Sequence, residues 1–344
     1  MHNFEKLDSR VNRSFRFNHR KPIAEIIQAH RGKAVRKQLL CILAFALLAC
    51  SDNGSPPGTL PPTNDTTARP SAGCGNAMEA GVHVFTLNHG GTERTYDLMI
   101  PSDYVSTEPM PLLLNLHPLT LGGPGLHTFW AWVSNLNAKG DREGFLVAQP
   151  DGTGAPVSWN GGEDCCSPPG TDVDDVDFIA AVIDAVQNQI CVDERRVVAT
   201  GMSNGAYLAY RIACEAPDML AAIAPVVGSL STELDCLDGR AIPVLQLSGS
   251  EDSLDRRELS VTRFLEINGC NDTTEITYRQ GDVTCTTHTA CEEEVEVTHC
   301  IVDGGGHCFF GDSDFLLSLA GCEVRDDIVS QDLIWEFLSR WRLP

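Results

Sequence analysis

Ser203 sits in the run Gly201-Met202-Ser203-Asn204-Gly205, a G-x-S-x-G spacing that can turn an ordinary serine into a nucleophile. The apolar run Arg196-Val197-Val198-Ala199-Thr200 precedes it, and a helical pattern from about Asn204 to Glu215 follows. That order places the serine on a sharp strand-to-helix turn. The flanking glycines remove Cβ atoms that would collide there, and the helix N-terminus supplies positive potential and a free N–H. A hydroxyl is a poor nucleophile until a base takes its proton. Downstream of Ser203 the histidines are His288, His299 and His307. His288 falls in a Cys/Thr-rich loop, and His299 falls inside a predicted strand. His307 follows Gly304-Gly305-Gly306, where an imidazole can approach closely, and it is the preferred base with His299 second. The acid is expected after the run PVLQLSG, in the order of preference Asp252, Asp255, Glu251. It would hold the imidazole tautomer and stabilise the imidazolium. The competing role for Asp252 is capping a helix that begins there. Two donors are needed for a developing oxyanion. The N–H of Asn204 is one. The other is expected from His117-Pro118-Leu119, and since Pro118 has no N–H, Leu119 is the candidate while His117 is structural. Trp159, Phe309 and Phe310 are candidates for an apolar substrate wall, with core packing as the competing role.

These groups must be carried by a scaffold. VHVFTLN (82–88) and TYDLMIP (95–101) are early predicted strands. PLLLNLH (111–117) and GFLVAQP (144–150) are continuous apolar runs, as in strands buried on both faces. Residues 172–189 show helical spacing, and MLAAIAPVVG (219–228), PVLQLSG (243–249), a strand near 294–302 and a helix near 326–341 continue the alternation. Strands alternating with helices predict an α/β protein with a mostly parallel sheet covered on both faces. Residues 74–344 are expected to form one domain without a separate lid domain, residues 152–171 forming a loop over the site.

Residues 1–40 hold ten Lys/Arg and three Asp/Glu, and the remainder holds 15 against 44. An acidic body repels phosphate backbones, which argues against a nucleic-acid partner. The basic segment leads into an apolar run, Leu39–Ala49, too short to span a bilayer and typical of a secretory signal. Its end, Leu47-Leu48-Ala49-Cys50, resembles a bacterial lipobox, which would make Cys50 a lipidation site at the cell envelope, the outer membrane being favoured by Ser51; a secreted form with an ordinary signal is the alternative. Residues 51–73, rich in Pro, Ser and Thr, are expected as a flexible tether. Beyond Cys41 and Cys50, twelve of the 14 cysteines remain, enough for up to six disulfides in an oxidising compartment. The competing reading is zinc held by Cys285, Cys291, Cys300 and Cys308 with His307. No C-x-x-C pair is present, and the expectation is no metal.

The elbow GMSNGAYLAYRIACE, with VAQPDG, SWNGGEDCC, DVDDVDFI, IAPVVG and DLIWEFLSR, resembles the bacterial polyhydroxybutyrate depolymerase and feruloyl esterase group of α/β-hydrolases, in a lipoprotein form. The resemblance spans roughly residues 82–341. It implies the α/β-hydrolase fold and hydrolysis of a polymeric or oligomeric ester by Ser203, Asp252 and His307. It also implies no cofactor and structural roles for Cys165-Cys166, Cys214, Cys236, Cys270, Cys285, Cys291 and Cys300. A monomer touching membrane only through its lipid is expected. Three positions depart from the group's pattern: His117-Pro118 for His-Gly, Ser248-Gly249-Ser250 for His-Gly-Thr, and Cys308-Phe309-Phe310 after the histidine for Thr-Trp-Pro. A bridge from Cys308 to Cys322 is one consequence to expect. A non-catalytic binding module and a serine peptidase on the same fold are the alternatives.

Overall fold

The computed structural model describes residues 67–120, 130–131, 133–166, 173–236, 239–254, 256–311 and 328–344. The expected signal, the expected lipidation site Cys50, most of the expected tether, Asp255 and Cys322 lie outside them. Ten strands form one sheet in the order β1-β2-β4-β3-β5-β6-β7-β10-β9-β8. They are β1 (Gly81–His89), β2 (Thr92–Ile100), β3 (Met110–Leu116), β4 (Leu146–Pro150), β5 (Val192–Met202), β6 (Ile223–Val226), β7 (Val244–Gly249), β8 (Thr274–Gln280), β9 (Val283–His288) and β10 (Val297–Val302). The six central strands, from β4 to β10, pair in parallel. Antiparallel β1 and β2 extend one edge, and β9 and β8 the other.

The continuous apolar strands are buried on both faces, as their composition requires. Leu112, Leu114 and Leu116 of β3 pack in one core, and Leu113 in the other. On the first face lie α2 (Asp175–Gln189), α3 (Asn204–Glu215) and α4 (Arg257–Ile267), contributing Phe178, Leu208 and Phe264. On the second lie α1 (Leu136–Glu143) and α5 (Ser330–Leu338), contributing Leu136 and Trp335. Asp174 caps α2, its carboxylate accepting from the Asp177 N–H at 3.0 Å. Among the described residues no helix is long and apolar enough to cross a membrane.

Three expectations need correction. The end of the expected tether belongs to the body: Ser71 is buried, its hydroxyl donates to the Ile190 carbonyl at 2.8 Å and accepts from the Val192 N–H at 3.0 Å. A Cys74–Cys191 bridge fastens it. Polar composition failed as a signal here because β5 supplies partners for the segment's backbone. Second, the Cys/Thr-rich segment around His288 is a strand, β9, in which Cys285 faces Cys300 of β10. Third, no helix starts at Asp252; α4 begins at Arg257, which removes the capping role.

The cysteines of the zinc reading are consumed by bridges. Disulfides join Cys165–Cys166, Cys214–Cys236, Cys270–Cys291 and Cys285–Cys300 in addition to Cys74–Cys191. Cys308 is disulfide-bonded as well.

Candidate active site

Parallel strands point their C-terminal ends to one edge of the sheet, where α/β folds place their chemistry. Ser203 follows β5, Asp252 stands three residues after β7, and His307 five residues after β10. With β6 between β5 and β7, and β10 beside β7, these are neighbouring strand ends.

Ser203 adopts φ 53° and ψ −118°, a conformation that costs a non-glycine residue about 1–3 kcal/mol and persists only where surroundings enforce it. Its N–H donates to the Val226 carbonyl at 2.9 Å, and its carbonyl accepts from the N–H groups of Ala206 and Tyr207. The elbow is therefore held between β6 and the first turn of α3. Gly205 permits the closest approach: a Cβ there would lie 2.2 Å from the Leu116 carbonyl oxygen and 2.7 Å from that of His117. The glycine thus brings the start of α3 directly against the end of β3.

His307 Nδ1 and Asp252 Oδ2 are 2.7 Å apart. The other carboxylate oxygen accepts from the Leu254 N–H at 2.9 Å. The Asp252 side chain is 1% exposed and the imidazole 28%. A buried carboxylate with both oxygens bonded orients its partner firmly. The loops bearing the two residues are stapled. The Glu251 N–H donates to the Gly305 carbonyl and the Ser250 N–H to that of Val302, both at 2.9 Å. The Gly304 N–H donates to the Ser250 hydroxyl at 2.8 Å. Of the alternative residues, Glu251 is exposed. His299 stays within β10, with Nε2 3.4 Å from the Ser248 hydroxyl. Burial, assisted by the nearby charge of Arg257, lowers its pKa to about 4.

Asn204 opens α3, so its N–H has no partner within the helix. Leu119 is 39% exposed in the turn after β3, and the next residue, Thr120, pairs with Val157. His117 is structural, as expected. It is fully buried, its Nε2 accepts from the Gly152 N–H at 2.9 Å, and its Nδ1 therefore carries the proton and donates to the Pro118 carbonyl at 2.8 Å.

The apolar-wall expectation is overturned for all three residues. Trp159 is 0% exposed, Phe309 4% and Phe310 3%. Trp159 packs against His117 with ring centres 4.7 Å apart and the planes tilted by 36°, and Phe309 meets Trp130 edge-on at 5.4 Å. Each ring satisfies its hydrophobic area inside the protein and has no face left for a ligand.

Sequence reasoning missed the groups beneath the site. The Asn204 side chain is clamped to the backbone of Trp159: its Oδ1 accepts from the Trp159 N–H at 2.7 Å, and its Nδ2 donates to the Trp159 carbonyl at 3.0 Å. The adjacent Asn160 N–H donates to Asp175 at 2.7 Å, whose other oxygen pairs with Arg94 at 2.7 Å in full burial. Desolvation raises the Asp175 pKa against the pull of Arg94, and lowers that of Arg94. The Arg94 guanidinium lies 3.5 Å over the Phe178 ring. The available signal was polar: Asn204 directly precedes the apolar run of α3, and Asp175 begins that of α2.

Residues 133–258 match the prolyl oligopeptidase family. Feruloyl esterase B of Piromyces equi is 28% identical over 231 residues, covering 60% of this chain and 41% of that protein. Feruloyl esterase D of Neurospora crassa is 26% identical over 261 residues, covering 70% and 83%. The chain thus spans less than half of the first relative. Among solved structures, an acetyl xylan esterase from Aspergillus awamori superimposes with a TM-score of 0.54 at 14% identity, covering 75% of this chain and 99% of that one. A thermostable esterase gives 0.52 at 18%, covering 76% and 63%. The protein has the α/β-hydrolase fold.

Proposed function

We propose that this protein is a serine esterase cleaving carboxylic esters through an acyl-enzyme, with Ser203 as nucleophile, His307 as base and Asp252 as orienting acid. The observation that carries this reading is the His307–Asp252 pair, 2.7 Å long with a buried carboxylate, at strand ends neighbouring the strained Ser203. With Nδ1–H donated to Asp252, His307 presents an unprotonated Nε2 to take the serine proton. Oγ then attacks the acyl carbon, and the carbonyl oxygen gains negative charge in reach of the Asn204 and Leu119 N–H groups. The imidazolium returns its proton to the departing alcohol. Water repeats the sequence on the acyl-enzyme and releases the acid.

The substrate we infer is an acyl ester carried on a polysaccharide, of the feruloyl or acetyl kind. The names of the relatives in two comparisons support this above a hydroxyalkanoate polyester. The disulfides support an exported protein, and the lipobox-like Cys50 supports anchoring at the cell envelope. The match of residues 133–258 to a peptidase family keeps a serine peptidase as the second reading.

Purified wild type and Ser203→Ala are compared on p-nitrophenyl acetate, methyl ferulate, acetylated xylan, hydroxybutyrate oligomers and a proline-containing peptide anilide. Hydrolysis of aryl or xylan esters that disappears in S203A is expected. Ester hydrolysis undiminished in S203A rejects the mechanism, and turnover confined to the anilide moves the assignment to a peptidase.

A further inference from the structure

The reaction proposed above needs two backbone donors from different parts of the chain, one at the start of α3 and one after β3. Their separation must suit a tetrahedral oxyanion, because donors a few tenths of an ångström out of place lose most of their value in the transition state. Trp159 touches both segments. The Trp159 backbone grips the Asn204 side chain through two hydrogen bonds, at 2.7 and 3.0 Å. Its indole Nε1–H donates to the His117 carbonyl at 2.9 Å. Its ring lies against the His117 ring. Trp159, Asn204 and His117 are each 0% exposed, so water does not compete for these bonds.

The base of this strut is fixed as well. Asn160 donates its N–H to Asp175 at 2.7 Å and its side-chain amide to the Val173 carbonyl at 2.9 Å. Its carbonyl accepts from Arg211 at 3.0 Å. Asp175 is anchored in turn by Arg94. On the far side, His117 is held by the Gly152 N–H.

We propose that Trp159 is a positioning residue for ester hydrolysis, a strut that sets the spacing between the Asn204 and Leu119 donors. This rests on the serine-esterase reading. The residue touches no substrate; it acts through the two donor segments. A packing role alone predicts that a ring of similar size suffices. The strut predicts that the indole N–H matters by itself, and that its loss is felt in the transition state and not in substrate binding.

Trp159→Phe keeps a ring against His117 and every backbone bond to Asn204, and removes one N–H. Active sites are counted with a fluorophosphonate, kcat and KM are measured on p-nitrophenyl acetate, and the inhibition constant of an aryl boronic acid is determined. That probe adds to the Ser203 oxygen as a tetrahedral anion, the serine proton passing to His307. The expected result is kcat per labelled site lower by about tenfold to a hundredfold, KM within about twofold, and boronate affinity reduced in parallel with kcat. Unchanged kcat and boronate affinity per labelled site overturn the strut, including where only the thermal midpoint falls. Should W159F fail to accumulate, Asn204→Ala severs the other end of the strut, and unchanged kcat per site in it overturns the proposal equally. A wild type that takes no fluorophosphonate sinks the esterase reading itself, and the wild-type arm reports that separately from any variant.

Discussion

At the scale of single residues, the two oxygens of Asp252 have distinct partners, and this makes an isosteric change informative. Oδ1 accepts from the Leu254 N–H and Oδ2 faces His307. In Asp252→Asn the amide oxygen stays with Leu254, because the NH2 group cannot accept. The NH2 then faces Nδ1 and forces it to become the acceptor. The proton moves to Nε2, where it prevents the imidazole from taking the serine proton. A loss of about 10³–10⁴ in kcat near pH 7 is expected with the fold intact, and steady-state kinetics beside a circular-dichroism melt checks it. His299 tests a different property. Its folded pKa is about 4, below the unfolded value of about 6.5. Between these values the unfolded chain binds a proton that the native state refuses. Stability is therefore fully present above about pH 6.5, and is lost as pH falls toward about 4, by up to about 3 kcal/mol. Urea titrations from pH 7.5 to 4.5 should show a shallower decline for His299→Gln than for wild type. Parallel declines would remove His299 as a contributor.

At the scale of elements, legibility followed how strongly packing and chemistry wrote on each segment. The all-apolar β3 and the Gly-flanked elbow with its helix could be read because burial on both faces and a tight turn each restrict composition. Spacing singled out Ser203 and His307, and a place after β7 singled out Asp252, and the structure sets the latter two 2.7 Å apart. β8 and β9 were not. The residues of β8 are nearly all exposed, so it carries no apolar face. The inward positions of β9 are Val283, Cys285 and Thr287, of which only the first reads as hydrophobic. Trp159, Phe309 and Phe310 were misassigned because a sequence gives an aromatic residue's size and not the side on which its area is buried. The 67–73 segment was misread for the converse reason: Ser71 bonds to Ile190 and Val192, far along the chain, and the neighbouring Cys74 bridges to Cys191, 117 residues away. That bridge yields an element-level prediction. It restrains a long loop of the unfolded chain, and its removal in a Cys74→Ala, Cys191→Ala double variant should cost about 4–5 kcal/mol on the chain-entropy view. A fall in the urea midpoint is expected, with kcat unchanged because the segment packs at the N-terminal end of β5, opposite Ser203. A midpoint equal to wild type would show that Ser71 and its hydrogen bonds hold the segment without the bridge.

At the scale of the whole molecule, the dominant property is charge. Beyond residue 40, 44 acidic residues oppose 15 basic ones, and a body this negative surrounds itself with a potential that repels anions over about 10 Å at 0.1 M salt. The described site contributes to that field through Asp252, Glu251 and Asp303, with Arg256 and Arg257 nearby on the acid loop and the start of α4. Arg256 is engaged by Asp164 at 3.2 Å, and Arg257 donates to the Gly249 carbonyl at 3.2 Å. Asp164 thereby offsets the charge of Arg256, leaving Arg257 to oppose the three carboxylates. An ester on a neutral sugar should approach without penalty, while one on a uronate-bearing chain should be repelled before it reaches Ser203. Raising salt screens that repulsion and leaves the chemistry after binding untouched. Between 20 and 500 mM sodium chloride, kcat/KM should rise about three- to tenfold for an acidic oligosaccharide ester and stay within about twofold for its neutral counterpart, with kcat flat for both. A fall in kcat/KM with salt for the acidic substrate would mean that attraction outweighs the global field at the entrance. The arginines beside the acid loop would then be recognising the uronate, and Arg256→Ala would abolish the salt effect.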